Sequence, residues 1–189
     1  MSSWNIWSVT VVIIALLIIA PVFGYAFLGN YHLSFQILMI LTTLSGIVFS
    51  YLLPQEASGK PHRKLWSITI LIVLVASILT IILAPSILPI LIPKYGPAID
   101  LIQIMSISAV FMTITLRYTS MFLADEKSKV VVIGKGVYLT SHIIGIYSLG
   151  TMLGIQGVAW SFVIASVLEA LYFVIIKREI KKKTNRFKK

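Results

Sequence analysis

The sequence contains no cysteine, few charged residues and little histidine. None of its 189 residues is cysteine, which excludes disulfides, thiolate nucleophiles and cysteine metal ligands. Charged residues make up 12% of the chain and hydrophobic residues 58%, and these proportions are wrong for a water-soluble domain of this length. The three histidines, His32, His62 and His142, show no metal-ligand spacing. We therefore expect an integral membrane protein that holds neither a metal nor a cofactor.

Patterns that carry catalysis are also missing from the sequence. Paired carboxylates, a nucleophile with a matching base, and a glycine loop that could cradle phosphate do not occur. We therefore expect a protein that is not an enzyme.

Six apolar runs are each long enough to cross a bilayer, which takes about 20 residues at a rise of about 1.5 Å per residue. The connections between them are short, and the longest, Pro54 to Lys64, is predicted to be a flexible turn. The sequence thus predicts an all-α membrane bundle over residues 1–176 and a basic cytoplasmic tail over residues 177–189. The predicted spans are Ile6 to Phe27, Leu33 to Leu53, Leu65 to Ile92, Ile99 to Leu123, Val130 to Leu149 and Gly154 to Ile176.

Lysine and arginine lie almost entirely on one side of the predicted bundle. They occur between the second and third spans, between the fourth and fifth, and throughout the tail, whereas the other side receives only Lys94. Because cytoplasmic loops retain these residues, we expect both termini to be cytoplasmic and the protein to lie in the plasma membrane. The formal charge of +10 is concentrated directly after a span, which favours anionic membrane lipid over nucleic acid as a partner.

Three prolines, Pro85, Pro89 and Pro93, crowd the outer end of the third span. Each removes a backbone donor, so we expect a kink near that end. Carbonyls that lose their donor must be satisfied by neighbouring helices or a water-filled cavity. This end of the span therefore either faces protein or a cavity, or simply terminates at the membrane interface.

Two of the spans carry polar faces on otherwise apolar helices. On the fourth span the polar residues recur at spacings of three, four or seven: Gln103, Ser106, Thr113, Arg117 and Ser120. On the fifth span they recur at spacings of three or four: Lys135, Tyr138, His142 and Gly145. Such faces turn toward partner helices or water, because lipid offers no hydrogen bonds. The sixth span adds a small-residue seam for close packing at Gly157, Ser161 and Ala165.

Three charges fall in the cytoplasmic half of the predicted spans: Arg117, Lys135 and Glu169. A charge at the bilayer centre costs at least about 2.5–3.5 kcal/mol, so such residues usually pair or line a hydrated path. We expect Glu169 to pair with Arg117 or Lys135, which leaves a net positive site suited to an anionic headgroup. The alternative is that both cations extend to the inner interface on their long stems.

His142 lies near the middle of the fifth span. We expect a neutral imidazole that is hydrogen-bonded to a neighbouring helix. The alternative is a role in proton coupling, since imidazole changes its charge near physiological pH.

Four short motifs occur in a recognisable order along the chain. The stretch Ile82 to Asp100 takes a proline-bearing helix into a Tyr-Gly-Pro-Ala loop, Phe122 to Lys127 forms a small turn, and Gly154 to Ala159 has a Gly-x-x-Gly-x-Ala pattern. Leu52 to Pro54 forms a helix exit. Together they resemble polysaccharide exporters of the multidrug/oligosaccharidyl-lipid/polysaccharide flippase superfamily. The resemblance covers most of the chain and is to the C-terminal six-helix half of those proteins.

The resemblance implies transport of a lipid-linked oligosaccharide or polysaccharide precursor by alternating access. The pyrophosphate of this lipid-linked glycan would lie near Arg117 and Lys135, and its sugar would run along Gln103, Tyr138 and His142. Because the family has two six-helix halves, the resemblance also implies a homodimer, a separate subunit that supplies the N-terminal half, or a truncated remnant. Two other functions stay open: a drug or cation exporter of the same superfamily, and a non-transporting membrane assembly or scaffold subunit.

Overall fold

Five long α-helices account for most of the chain that the structure describes. The computed structural model describes residues 24–59 and 62–186. Its helices are α1 Tyr25–Ala57, α2 Arg63–Leu91, α3 Ala98–Ala124, α4 Ser128–Leu153 and α5 Ile155–Arg186, and a 3₁₀ turn at Pro93–Tyr95 lies between α2 and α3. All five are long and apolar enough to cross a membrane. This part of the chain therefore has the all-helical build of a multi-pass membrane protein.

The first predicted span, Ile6 to Phe27, lies outside the described residues except for its last four. The segment Leu28 to His32, which we predicted as a connection, belongs to α1. That boundary prediction was wrong because the segment packs against the bundle. Tyr31 is buried, and so is Ser34, one turn later, whose Oγ lies 3.4 Å from the carbonyl oxygen of Ala98 in α3.

The connection between α4 and α5 is a single residue. We predicted a connection over Gly150 to Leu153, but α4 continues through Leu153 and α5 begins at Ile155. Gly154 alone reverses the chain at φ 61°, a left-handed conformation that glycine adopts without a Cβ penalty. The two helices therefore form an antiparallel hairpin with almost no loop.

Helix α1 extends one turn beyond its predicted end and contains Pro54. The carboxylate of Glu56 fixes this last turn to two other helices. Trp66 Nε1 of α2 donates to Glu56 Oε1 at 3.1 Å, and Ser120 Oγ of α3 donates to Glu56 Oε2. The flexible turn that we predicted from Pro54 to Lys64 is therefore shorter than expected, because its first residues are helical and held in place.

Helix α2 ends just before the third of its clustered prolines. It continues through Pro85 and Pro89 to Leu91, and the 3₁₀ turn begins at Pro93. Ile90 and Leu91 are 81% and 72% exposed, whereas Leu88 packs against a cluster that includes Ala98 and Ile102 of α3. The end of α2 therefore faces protein on one side while its final residues are exposed, so each of the two expectations fits part of it.

Helices α3 and α5 form the centre of the bundle. The most apolar window of each is 50% buried, compared with 22–28% for the other three helices. α3 packs against α1, α2 and α5, whereas α4 packs mainly against α5. The bundle thus consists of two helix groups, α1–α2–α3 and α4–α5, which meet where α3 contacts α5.

Close packing of α4 on α5 depends on glycine. A Cβ at Gly157 would lie 1.9 Å from the carbonyl oxygen of Leu149, and a Cβ at Gly145 would lie 2.5 Å from the Cβ of Ser161. Both distances are far below van der Waals contact. The small-residue seam predicted on the last span is buried at this contact, with Ser161 1% and Ala165 0% exposed.

Replacement of Gly157 by alanine is expected to destabilise the hairpin. The added methyl would meet backbone atoms of Leu149, which cannot rotate away, so the helices must separate. Overpacking of this kind costs about 1–3 kcal/mol. Detergent unfolding titrations of purified Gly157→Ala would measure the loss. The matched control is Gly136→Ala on α4, where a Cβ meets nothing within 4 Å and stability should hold or rise.

Candidate functional site

An ion pair links α4 to α5 inside their membrane-spanning segments. Lys135 Nζ lies 2.6 Å from Glu169 Oε1, and the two side chains are 20% and 3% exposed. Of the two cations that we considered as partners for Glu169, Lys135 is the one that pairs with it in the structure. A buried charge without a partner costs several kcal/mol, and a short ion pair offsets much of that cost.

Arg117 belongs to the other helix group. Its side chain on α3 is half-buried, and among the described residues it makes no ion pair. Thr113, one turn earlier on the same polar face, bonds to Ser45 Oγ of α1 at 2.7 Å. No hydrogen bond or ion pair joins this face to Lys135 within residues 24–59 and 62–186. A joint phosphate site at Arg117 and Lys135 stays a prediction.

Gln103 satisfies a carbonyl that proline leaves free in the neighbouring helix. Pro85 lies inside α2 and has no N–H, so the carbonyl of Ile81, four residues earlier, loses its partner within the helix. Gln103 Nε2 of α3 donates to that carbonyl oxygen at 2.8 Å. The residue that we predicted as a sugar ligand therefore holds α3 against α2 in this structure.

Tyr138 and His142 are buried between α4 and α5. They are 7% and 1% exposed, and both rings pack edge-on against Phe162, with centroid distances of 5.8 and 5.4 Å. His142 Nδ1 lies 3.2 Å from Ser161 Oγ, so the expected hydrogen bond to a neighbouring helix is present. Their predicted role as sugar ligands would require this contact to open.

The hydroxyl of Ser161 decides the tautomer of His142. Ser161 Oγ donates its single proton to the carbonyl of Val158 at 2.7 Å, so it must accept the bond that it shares with His142. Nδ1 of a neutral imidazole then carries the ring proton, and Nε2 is an acceptor.

Two residues at important positions in the structure were not predicted from the sequence. Glu56 joins three helices, and Tyr31 is 2% exposed in the main core cluster. A signal for Glu56 was available, because the indole of Trp66 ten residues later needs an acceptor when buried. Nothing local marks Tyr31, since its burial depends on how α1 meets the other helices.

The polar side chains described above form hydrogen bonds and an ion pair between helices that are long enough to span a membrane. They come from facing helices, and binding sites in other helix bundles form between helices in the same way. Within the part of the chain that the structure describes, no group of three or more His, Asp or Glu side chains could hold a metal ion.

The contact between Gln103 and α2 should depend on Pro85. Gln103→Leu leaves the Ile81 carbonyl unsatisfied and is expected to cost about 1–3 kcal/mol. In a Pro85→Ala background the alanine N–H reaches that carbonyl, so the same change should cost almost nothing. Unfolding titrations of both single variants and the double variant measure this coupling, and equal costs of Gln103→Leu in the two backgrounds would contradict the assignment.

Removing one member of the ion pair should be worse than removing both. Lys135→Met leaves Glu169 buried without a partner and is expected to cost about 3–5 kcal/mol, whereas Lys135→Met with Glu169→Leu should return to within about 1 kcal/mol of the parent. The same unfolding titration compares them. Lys64→Met, at an exposed position near the start of α2, is the charge-matched control. If the double variant is as unstable as Lys135→Met, the instability does not come from an unpaired Glu169, and the prediction is refuted.

Comparison of the chain with known protein families, curated proteins and solved structures gave no match.

Proposed function

We propose that the chain moves a lipid-linked oligosaccharide or polysaccharide precursor across the membrane by alternating access, as one half of a two-lobed flippase. The observation that supports this most directly is Arg117, a half-buried cation on a central apolar helix with no ion-pair partner among the described residues. An ionisable residue at such a place is costly and is usually kept for a pathway or a ligand. A guanidinium binds phosphate oxygens in a bidentate manner, so the pyrophosphate of a lipid-linked glycan suits it.

Lys135 would contribute to transport by exchanging one partner, Glu169, for another, the pyrophosphate. Glu169 holds it at 2.6 Å, so an arriving pyrophosphate must compete with that carboxylate. Release of Glu169 would weaken one of the contacts that join α4 to α5. In the proposed cycle this exchange couples arrival of the anion to movement within the hairpin, and it would uncover Tyr138 and His142 for the sugar.

Alternating access needs a second group of helices on the other side of the bound substrate. We propose that these helices come from a second copy of the chain or from a separate subunit with the N-terminal half. We place the assembly in the plasma membrane with both termini cytoplasmic, because the basic connections and the basic tail favour that side. The mass of the assembly purified from its native membrane is read against the 21.0 kDa chain, and its subunit composition by mass spectrometry tells the two arrangements apart.

Arg117→Gln is expected to lower transport at least about tenfold. Loss of hydrogen bonds to a charged group is worth about 1.5–3 kcal/mol, and about 1.4 kcal/mol corresponds to tenfold. The purified assembly is reconstituted in vesicles, and movement of a fluorescent polyprenyl-pyrophosphate glycan is timed. Lys129→Gln, an exposed cation in the first turn of α4, is the matched control and should transport normally.

A rate that is unchanged in Arg117→Gln, with normal expression and assembly, would refute the role of Arg117 in transport. Loss of assembly in this variant would instead show that the residue is structural. Both outcomes are separable, because mass and transport are measured on the same preparation.

A non-transporting assembly or scaffold subunit is the second candidate, and the hairpin favours it. Gln103, Thr113 and Ser120 of α3 are used in contacts with other helices. Helix α4 meets α5 along a seam where Gly157 touches backbone. Under this function Arg117→Gln has no effect, and Gly157→Ala disrupts the assembly. A truncated remnant would show neither assembly nor transport. A drug or cation exporter would rely on Glu169, which Lys135 already neutralises.

A further inference from the structure

Three buried polar atoms in one region have no hydrogen-bond partner among the described residues. They are the hydroxyl oxygens of Tyr31 and Tyr138 and Nε2 of His142. The residues are 2%, 7% and 1% exposed, so surrounding solvent does not reach them. More than about 90% of buried polar groups in native proteins are hydrogen-bonded to protein or to ordered water, so three exceptions together need a cause.

Tyr138 and His142 pack against one phenylalanine of α5, Phe162, and Tyr31 lies one turn before another residue that contacts the same ring. Tyr138 packs against His142 and against Phe162 with centroid distances of 5.8 Å in both cases. Phe35, which lies one turn after Tyr31 on α1, contacts the same Phe162 at 6.1 Å. Tyr31 and Tyr138 belong to one core cluster, yet among the described residues they make no direct hydrogen bond.

The chemistry of the three groups selects the ligand. Because Ser161 sets the tautomer of His142, Nε2 accepts and needs a donor. A tyrosine hydroxyl both donates and accepts. A fully deprotonated anion could accept from the tyrosines but has no proton for Nε2. Water can donate to Nε2 and accept from a hydroxyl, and it is the smallest ligand that does both.

We propose that Tyr31, Tyr138 and His142 bind ordered water that bridges α1 to α4. Buried waters typically make about three hydrogen bonds to polar groups that the protein leaves unsatisfied, which is the number of groups present here. α1 and α4 are not among the helix pairs that pack extensively against each other, so the water supplies a polar link between the two helix groups. This site does not rest on the proposed transport function.

Conservative removal of each hydroxyl tests the bridge. Tyr31→Phe and Tyr138→Phe are each expected to lower the Tm by about 2–4 °C, because each removes a satisfied hydrogen bond in a chain of this size. The double variant should lose less than the sum, because both hydroxyls serve one bridge. Tyr147→Phe, on an exposed part of α4, is the control and should not change the Tm.

A Tm that does not fall in the single variants would contradict the bridge. If the hydroxyls are truly unpaired, removing them relieves a burial penalty, and the Tm of each single variant stays level or rises. Additive losses in the double variant would show two independent contacts. Each of these outcomes overturns the shared bridge.

Radiolytic labelling of the unaltered protein in ¹⁸O-water provides a second measurement that needs no variant. Hydroxyl radicals form from water molecules next to the side chain, so Tyr31 and Tyr138 should take up the label despite their burial. Phe122 and Phe173, which are 1% and 0% exposed, are buried aromatic references. Label at the tyrosines no greater than at these phenylalanines would refute the proposal.

Discussion

Lipid offers no hydrogen bonds, and that constraint governs where polar side chains lie in this bundle. Serine and threonine hydroxyls repeatedly donate to a carbonyl three or four residues earlier in their own helix, as Thr42 does to Leu38 and Ser106 to Ile102. Three longer polar side chains, Glu56, Gln103 and Lys135, instead bond to another helix. Gln103 does so because Pro85 has no N–H and leaves the carbonyl of Ile81 in α2 free. Each such contact fixes the position of one helix along another.

The two helix groups, α1–α2–α3 and α4–α5, each combine apolar packing with polar contacts between helices. In the first group, Glu56 joins all three helices at one end, beside an apolar cluster to which the three helices contribute. In the second group, the helices approach until backbone touches backbone at Gly157, and the ion pair of Lys135 with Glu169 also crosses between them. Packing of α3 on α5 joins the groups, and the proposed water would add a polar link between α1 and α4.

The charged residues within the helices differ in whether they have an ion-pair partner, and the proposed function depends on that difference. Glu169 and Lys135 neutralise each other at 2.6 Å, so they stabilise the hairpin as it stands. Arg117 has no ion pair among the described residues, so it is the cation that an external anion could bind at the lower cost. Transport would then use Arg117 for recognition, while the ion pair would govern whether the hairpin opens.

The sequence by itself determined an all-helical chain of long apolar helices, five of which lie in the part that the structure describes, because hydropathy and length are local properties. It also limited the partner of Glu169 to two cations. Only the tertiary structure decided that this partner is Lys135, that Gln103 serves the carbonyl freed by Pro85, and that Tyr31 is buried. These depend on which helix faces meet, and residues distant in the chain make those contacts, so no local pattern contains them. Two of the predicted connections, 28–32 and 150–153, were wrong for the same reason, since packing extended α1 and α4 through segments that looked like loops.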